Sequence, residues 1–188
     1  MCRRGCRIWS RGSVPTPVAT RIFVLSRAGA LIRLEHAYLD RTKEGPVEEL
    51  WRVGEQVLSA QPFSALIGAS LASFSEGEAV IEVPVREGLL QQDGYVHGGV
   101  IGYLTDNVLT FAGGSVLGPR VLTQEYKINY LRPADGEKLS ARALVVSAGR
   151  RHAVCRCDVF DVGADGEETL CAAAQGTIAS VATSEEAR

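Results

Sequence analysis

Apolar positions along this chain change their period three times. Over residues 45–58 (GPVEELWRVGEQVL), Val47, Leu50, Trp51 and Val57 mark one face of a helix. Pro46 suits a first helical position, with Glu48 and Glu49 beside the positive end of the helix dipole. Gln61-Pro62 stops it. Residues 66–74 (LIGASLASF) read as a first strand and Ser75-Glu76-Gly77-Glu78 as a turn. In residues 79–85, Ala79, Ile81, Val83 and Val85 alternate with Val80, Glu82 and Pro84, the period of a strand with one buried face. Pro84 has no amide donor and is expected at an edge or a strand end.

A loop over 86–96 leads to residues 97–114 (HGGVIGYLTDNVLTFAGG), which hold no proline and are apolar nearly all round. Such a helix must be buried. Gly113-Gly114 is its expected end. Strands are expected from there on, at 121–131, 139–147, 152–160 and 169–182, with turns at Ala148-Gly149-Arg150-Arg151 and Asp165-Gly166. In the first of them, strict alternation puts Leu122, Tyr126, Ile128 and Tyr130 on one face and Thr123, Glu125, Lys127 and Asn129 on the other. Tight turns demand antiparallel pairing. Helices do not alternate with strands, which disfavours a parallel doubly wound fold. The pattern predicts an α+β domain whose curved antiparallel sheet wraps around the central helix.

The 188 residues suit one domain. Charge divides them: residues 1–34 carry seven Arg and no acid, so all 22 acids fall in the remainder, against 13 bases. The acidic body argues against a nucleic-acid partner. We read 1–42 as an Arg-rich leader, 43–183 as the folded domain and 184–188 as a tail. The leader has three readings: a disordered segment or over-extended start, an organelle transit peptide, or a basic arm with a partner. No apolar run is long enough to span a bilayer, and a cytoplasmic protein is expected, organelle targeting through the leader being the alternative. Five cysteines, an odd number with no CxxC pair, suggest neither a disulfide framework nor a zinc site, and no His/Asp/Glu spacing suggests another metal. Cys155 and Cys157 alternate as strand core.

The chemistry concentrates in the central helix. Asp106 is a carboxylate inside an apolar sequence, where burying a charge is costly. One reading is a carboxylate that points into a solvated crevice; the other is a reacting acid. His97, Gly98 and Gly99 open the same helix, whose first amides have no intrahelical partners and can hold an oxyanion. Asp106 follows Gly99 by seven residues, on about the same face and roughly 10 Å along the axis. That is too long for both to act on one carbonyl within a chain. A substrate on the amides of one subunit would meet the carboxylate of a neighbour.

The stretch DGYVHGGVIGYLTDNVLTFAGG resembles the helix signature of the phenylacetate-pathway (PaaI-type) hotdog thioesterases, His-Gly-Gly with an acid nine residues after the His. The resemblance covers about residues 46–182 and includes KINYLRPA at 127–134. It implies the hotdog fold and an acyl-CoA or aryl-CoA thioesterase without a cofactor. It further implies a homodimer with joined sheets, often paired into a tetramer, whose sites combine residues of both chains. Carried over by position, Asp106 is the general base or nucleophile and the Gly98 amide, beside Gly99, polarises the thioester carbonyl. Gln91, of the adjacent pair Gln91-Gln92, lies near the reacting centre, and Thr123 places a hydroxyl that orients water.

His97 is either a general acid or base or a structural part of the loop-to-helix turn. His36 and His152 read as surface residues. Arg132, Arg150 and Arg151 are candidates for the phosphates of coenzyme A, or else solvated turn charges. Tyr103 and Phe111 line an acyl pocket or belong to the core. Two rival functions remain: a hotdog hydratase or dehydratase, and a non-catalytic acyl-CoA-binding sensor.

Overall fold

In a computed structural model, residues 23–25, 31–33 and 46–181 are described. The chain falls into two units, Met1–Lys43 and Glu44–Arg188. In the first, β1 (Phe23–Leu25) pairs antiparallel with β2 (Leu31–Arg33). The rest of the leader, His36 and the tail 184–188 lie outside the described residues, and with them the three readings of the leader.

The second unit begins with α1 (Pro46–Ser59), acidic in its first turn. Its buried stripe runs through Leu50, Trp51, Gly54 and Leu58, with Gly54 facing the Phe74 ring. Val57, expected on that stripe, is exposed together with Val53, because the stripe centres on Gly54 and leaves position 57 at its margin. A second helix follows where a strand was expected. In α2 (Pro62–Ile67) proline occupies the first turn. Gly68, at φ 79°, ends it with the N–H of Gly68 on Ala65 O and that of Ala69 on Ser64 O. Leu66 and Ile67 are therefore helical, and the strand is shorter, β3 (Ser70–Ser75). Six helical residues are too few to display a 3.6 period, and the apolar run around them imitates a strand.

The hairpin partner β4 (Glu78–Pro84) ends on Pro84, where no ladder donor is needed. A single 3-10 turn at Glu87–Leu89 breaks the loop before α3 (Gly98–Leu117). This helix passes straight through Gly113-Gly114, the expected stop. The reason is packing: a Cβ on Gly113 would stand 2.7 Å from Ile178 Cβ, so glycine here lets the helix touch the sheet. The remaining strands are β5 (Val121–Tyr130), β6 (Lys138–Ala148), β7 (His152–Val162) and β8 (Glu168–Ser180).

The six strands form one antiparallel sheet in the order β3-β4-β6-β7-β8-β5. Its concave side wraps α3, which touches all six strands. This is the hotdog arrangement. Because α3 crosses the sheet, the chain leaves β4 near one edge and re-enters as β5 at the other. Small residues line the concave face: Ala79, Ala143, Cys157 and Ala174 form one cross-strand row that ends on Ile128 of β5. Cys155, Cys157 and Cys171 are buried in this face, as free thiols, and burial pushes them up to about 11, 12 and 11.

β5 departs from strict alternation. Its register with β8 slips between Thr123 and Glu125, a bulge that inserts one residue. Beyond it Tyr126, Ile128 and Tyr130 face α3, as expected, but before it Thr123 faces α3 too. Leu122, expected beside Tyr126, points away and is 65% exposed.

The Gly113 contact predicts a measurable cost. Ala at 113 gains about 1 kcal/mol of helix propensity but overpacks against a β-branched stem, costing about 1–3 kcal/mol. Gly113→Ala should therefore lower stability in urea unfolding, and adding Ile178→Ala should relieve the overpacking, so that the pair costs less than the two changes summed.

Candidate functional site

The loop before α3 is fixed by its backbone. His97 N donates to Leu89 O at 2.8 Å, Gln91 N to Tyr95 O at 2.8 Å, and Gly94 N to Gln91 O at 3.0 Å. Within this turn Gln91 is half-buried, whereas Gln92 is exposed and its amide bonds Asp93. Of the two, Gln91 is placed to face inward.

His97 is the N-cap of α3, extended at φ −61° and ψ 131°. Its Nδ1 accepts the Gly99 N–H at 2.9 Å, and its carbonyl accepts the Val100 N–H. The cap thus occupies Gly99. The Gly98 N–H, at the first helical position, has no partner among the described residues. It points out of the positive end of a 20-residue helix. The imidazole accepts only while Nδ1 is unprotonated.

A second pattern runs down the α3 stripe that faces β5. Tyr130 Oη donates to Gly98 O at 3.0 Å, Tyr126 Oη to Gly102 O at 3.3 Å, and Thr110 Oγ1 to Asp106 O at 2.9 Å. Thr110 Oγ1 also lies 2.8 Å from Thr123 Oγ1, which the bulge has turned inward. One carbonyl per turn, at 98, 102 and 106, is therefore claimed by a hydroxyl. Asp106 sits on this stripe, half-buried, and its Oδ1 is buried without a hydrogen-bond partner among the described residues. A carboxylate oxygen in that state is costly unless something else approaches it. The Asp106 charge is felt at Tyr126, whose phenol is held above its ordinary value first by burial, then by Asp106 and Tyr130.

The helix face turned to α2 carries a different network. Tyr103 Oη donates to Ser64 Oγ at 2.6 Å and accepts from Asn107 Nδ2 at 2.7 Å, while Ser64 Oγ and Asn107 Nδ2 both donate to Gln61 Oε1. Phe63 packs edge-on against Tyr103. The network fixes the rotation of α3 about its own axis. Phe111 is core, buried against Phe74.

The three candidate arginines are not gathered. Arg132 follows the C-terminal end of β5, tied through its N–H to Cys171 O. That end also carries Asp135, Glu137, Asp161, Asp165 and Glu167 around a hollow of about 440 Å³, an environment that repels phosphate. Arg150 and Arg151 turn the β6–β7 hairpin at the opposite end. There Ser180 N donates to Arg151 O and Val181 N to Arg120 O, which brings in Arg120. No ion pair joins Arg120, Arg150 or Arg151 to an acid among the described residues.

Sequence reasoning missed Thr110, Tyr126 and Arg120. Thr110 was within reach, four residues from Asp106 and so on its helical face. Tyr126 was placed on the right strand face but given no role. Arg120 has no signal, since only β-sheet pairing makes it a neighbour of Arg151. Among the described residues no group of three or more His, Cys, Asp or Glu could hold a metal ion, and no helix is long and apolar enough to cross a membrane.

Comparison with known proteins places this geometry. The family model of the thioesterase superfamily matches residues 93–166, from the loop before α3 to the β7–β8 turn. A thioesterase family protein of Silicibacter pomeroyi superposes with a TM-score of 0.68 at 29% identity, over 71% of this chain and 99% of that one. The phenylacetic acid degradation protein PaaI of Thermus thermophilus superposes with a TM-score of 0.58 at 30% identity, over 64% and 100%. The 1,4-dihydroxy-2-naphthoyl-CoA hydrolase of Listeria monocytogenes is 27% identical over 107 residues, 56% of this chain and 85% of that protein.

The His97 cap yields a stability prediction. His97→Ala should cost about 0.5–2 kcal/mol by thermal or urea unfolding, and His97→Asn, which keeps a capping acceptor, should recover most of it.

Proposed function

The chain belongs to the thioesterase superfamily and is a thioester hydrolase, and from that premise we propose that it cleaves an acyl- or aryl-CoA to the free acid and coenzyme A across a homodimer interface. The observation that carries this reading is the buried, unpartnered Asp106 Oδ1 on the stripe that starts at the free Gly98 N–H.

Eight residues along one helix separate Gly98 from Asp106 by about 12 Å, beyond the reach of one carbonyl group. A second copy closes that gap. β5 is an edge strand with Leu122, Tyr130 and Leu131 exposed near its ends. α3 runs antiparallel to β5, with Gly98 beside Tyr130 and Gly114 beside Val121. Two copies that pair β5 to β5 about a two-fold axis would set their α3 helices side by side and antiparallel. With the axis near Lys127–Ile128, Gly98 of one protomer faces the Asp106 turn of the other. Nothing in the protomer forbids a side chain at Gly98 or Gly102: a Cβ would meet only the Tyr130 and Tyr126 rings and hydroxyls at 3.5–3.8 Å. That pairing occupies the β5 edge of both copies, so a dimer of dimers would use a different surface.

In the proposed reaction the thioester carbonyl oxygen accepts the Gly98 N–H, where the helix dipole favours negative charge. Asp106 of the partner subunit takes a proton from water, and the hydroxide adds to the carbonyl carbon. The tetrahedral oxyanion stays on the Gly98 amide, then collapses and expels the coenzyme A thiolate. Alternatively the Asp106 carboxylate attacks directly, expels the thiolate and forms an anhydride that water then opens. Gln91 borders the carbonyl, and the Thr110–Thr123 hydroxyl pair orients Asp106 or the water. Arg120, Arg150 and Arg151 are the cations that suit the phosphates of coenzyme A.

Thiol release from short, medium and long acyl-CoAs, phenylacetyl-CoA and hydroxybenzoyl-CoA tests the activity. Asp106→Asn should lower kcat about 10²–10⁴-fold; full turnover in that variant rules out both roles of the acid. Gly98→Pro removes the N–H at a first helical position, where proline fits and where extended His97 can precede it. It should be comparably impaired. Mixing the two inactive variants separates the shared site from a one-chain site. Random re-pairing leaves one intact site in each mixed dimer, about a quarter of the original activity overall; a site built within one chain recovers none.

The basic cluster has its own expectation. Arg150→Ala combined with Arg151→Ala should raise KM about tenfold for an acyl-CoA, as lost charged hydrogen bonds to phosphate do, with little change for the matching N-acetylcysteamine thioester. An equal loss on both substrates would remove these arginines from phosphate binding.

A further inference from the structure

Tyr126 is the residue that the proposed reaction leaves unused, although the fold is built around it. It lies opposite Gly176 in the β5–β8 ladder, and a Cβ on Gly176 would stand 2.6 Å from Tyr126 Cβ. Its hydroxyl reaches the Gly102 carbonyl, one helical turn before Asp106, at a long 3.3 Å. In a helix that carbonyl already takes the Asp106 N–H. A Cβ on Gly102 would lie 3.6 Å from the Tyr126 hydroxyl and 3.5 Å from that of Tyr130, so both phenols crowd the turn that leads into Asp106. Beside them Asp106 Oδ1 is buried and unpartnered. A long bond to a carbonyl that is already satisfied sits next to an acceptor that has no donor.

We propose that Tyr126 is a positioning residue for Asp106: on substrate entry its hydroxyl turns from the Gly102 carbonyl to Asp106 Oδ1, holding the carboxylate ionised and aimed at the thioester. The inference rests on Asp106 being the reacting acid. A donor to a carboxylate stabilises the charged form, so it extends activity to lower pH. Burial and the Asp106 charge keep the phenol protonated, as a donor must be. The other titratable groups that face this part of α3 are Tyr130 of β5, Cys155 and Cys157 of β7 and Cys171 of β8, with Tyr103 and His97 on or next to the helix itself. β3, β4 and β6 turn only apolar side chains to it. The thiols, pushed up to about 11 and 12, stay neutral through the acid and neutral range. His97 is the ionisable cap of the same helix, and a His97→Asn background removes it while keeping a capping acceptor.

The test is the pH profile of kcat and kcat/KM for the panel acyl-CoA cleaved fastest, in the His97→Asn background with and without Tyr126→Phe. Loss of the hydroxyl should move the acid limb up by about one pH unit and lower kcat about tenfold, with KM and Tm little changed. A hydroxyl that merely ties β5 to α3 would lower Tm and leave the limb in place; that result, or an unmoved limb with unchanged kcat, overturns the proposal. Asp106→Asn keeps the two readings apart. If it retains full turnover, the reacting-acid reading fails. If it is inactive while Tyr126→Phe leaves the limb unmoved, only the role of Tyr126 fails.

Discussion

The structure depends on the burial of one helix that is apolar almost all round and yet carries a carboxylate. No single flat surface can cover α3, so the sheet curves about it and reaches it with all six strands. Close wrapping requires small side chains where helix and sheet meet. The Ala79–Ala143–Cys157–Ala174 row and Gly113 against Ile178 meet that requirement. The buried cysteines follow from it as well, because a thiol is a small apolar filler, and burial disfavours its ionisation.

Most polar side chains on α3 are supplied with a partner. On the α2 side Tyr103 and Asn107 satisfy each other through Ser64 and Gln61. On the β5 side hydroxyls take one carbonyl per turn. Thr105 Oγ1 and Asp106 Oδ1 are the exceptions among the described residues, and of the two Asp106 lies on the stripe turned to the strand at the open edge of the sheet. An unpaired acceptor and an unpaired strand edge on the same side of the molecule are what the proposed pairing with a second copy rests on.

Sheet topology also sorts charge. One end gathers five carboxylates at the turns after β5 and β7, and the other gathers Arg120, Arg150 and Arg151. The two ends of the sheet therefore differ in charge, and the basic end is the one that favours an anionic ligand.

The residues alone determined the element order, the antiparallel sheet, the buried helix and the group Asp106, His97 and Gly98, because periodicity, tight turns and a charge inside an apolar helix are local properties. The short α2 escaped them, being less than two turns long, as did the continuation of α3 through Gly113-Gly114, since glycine serves a stop and a close contact equally well. Tertiary structure alone decided the rest. The slip in β5 between Thr123 and Glu125 turned Thr123 toward the helix and Leu122 away from it. Strand pairing carried Arg120 to Arg151 and left Arg132 at the other end of the sheet. The cap tied Gly99 to His97 and left the Gly98 amide free. Each of these rests on register or on contacts between residues distant in sequence, which no local pattern records.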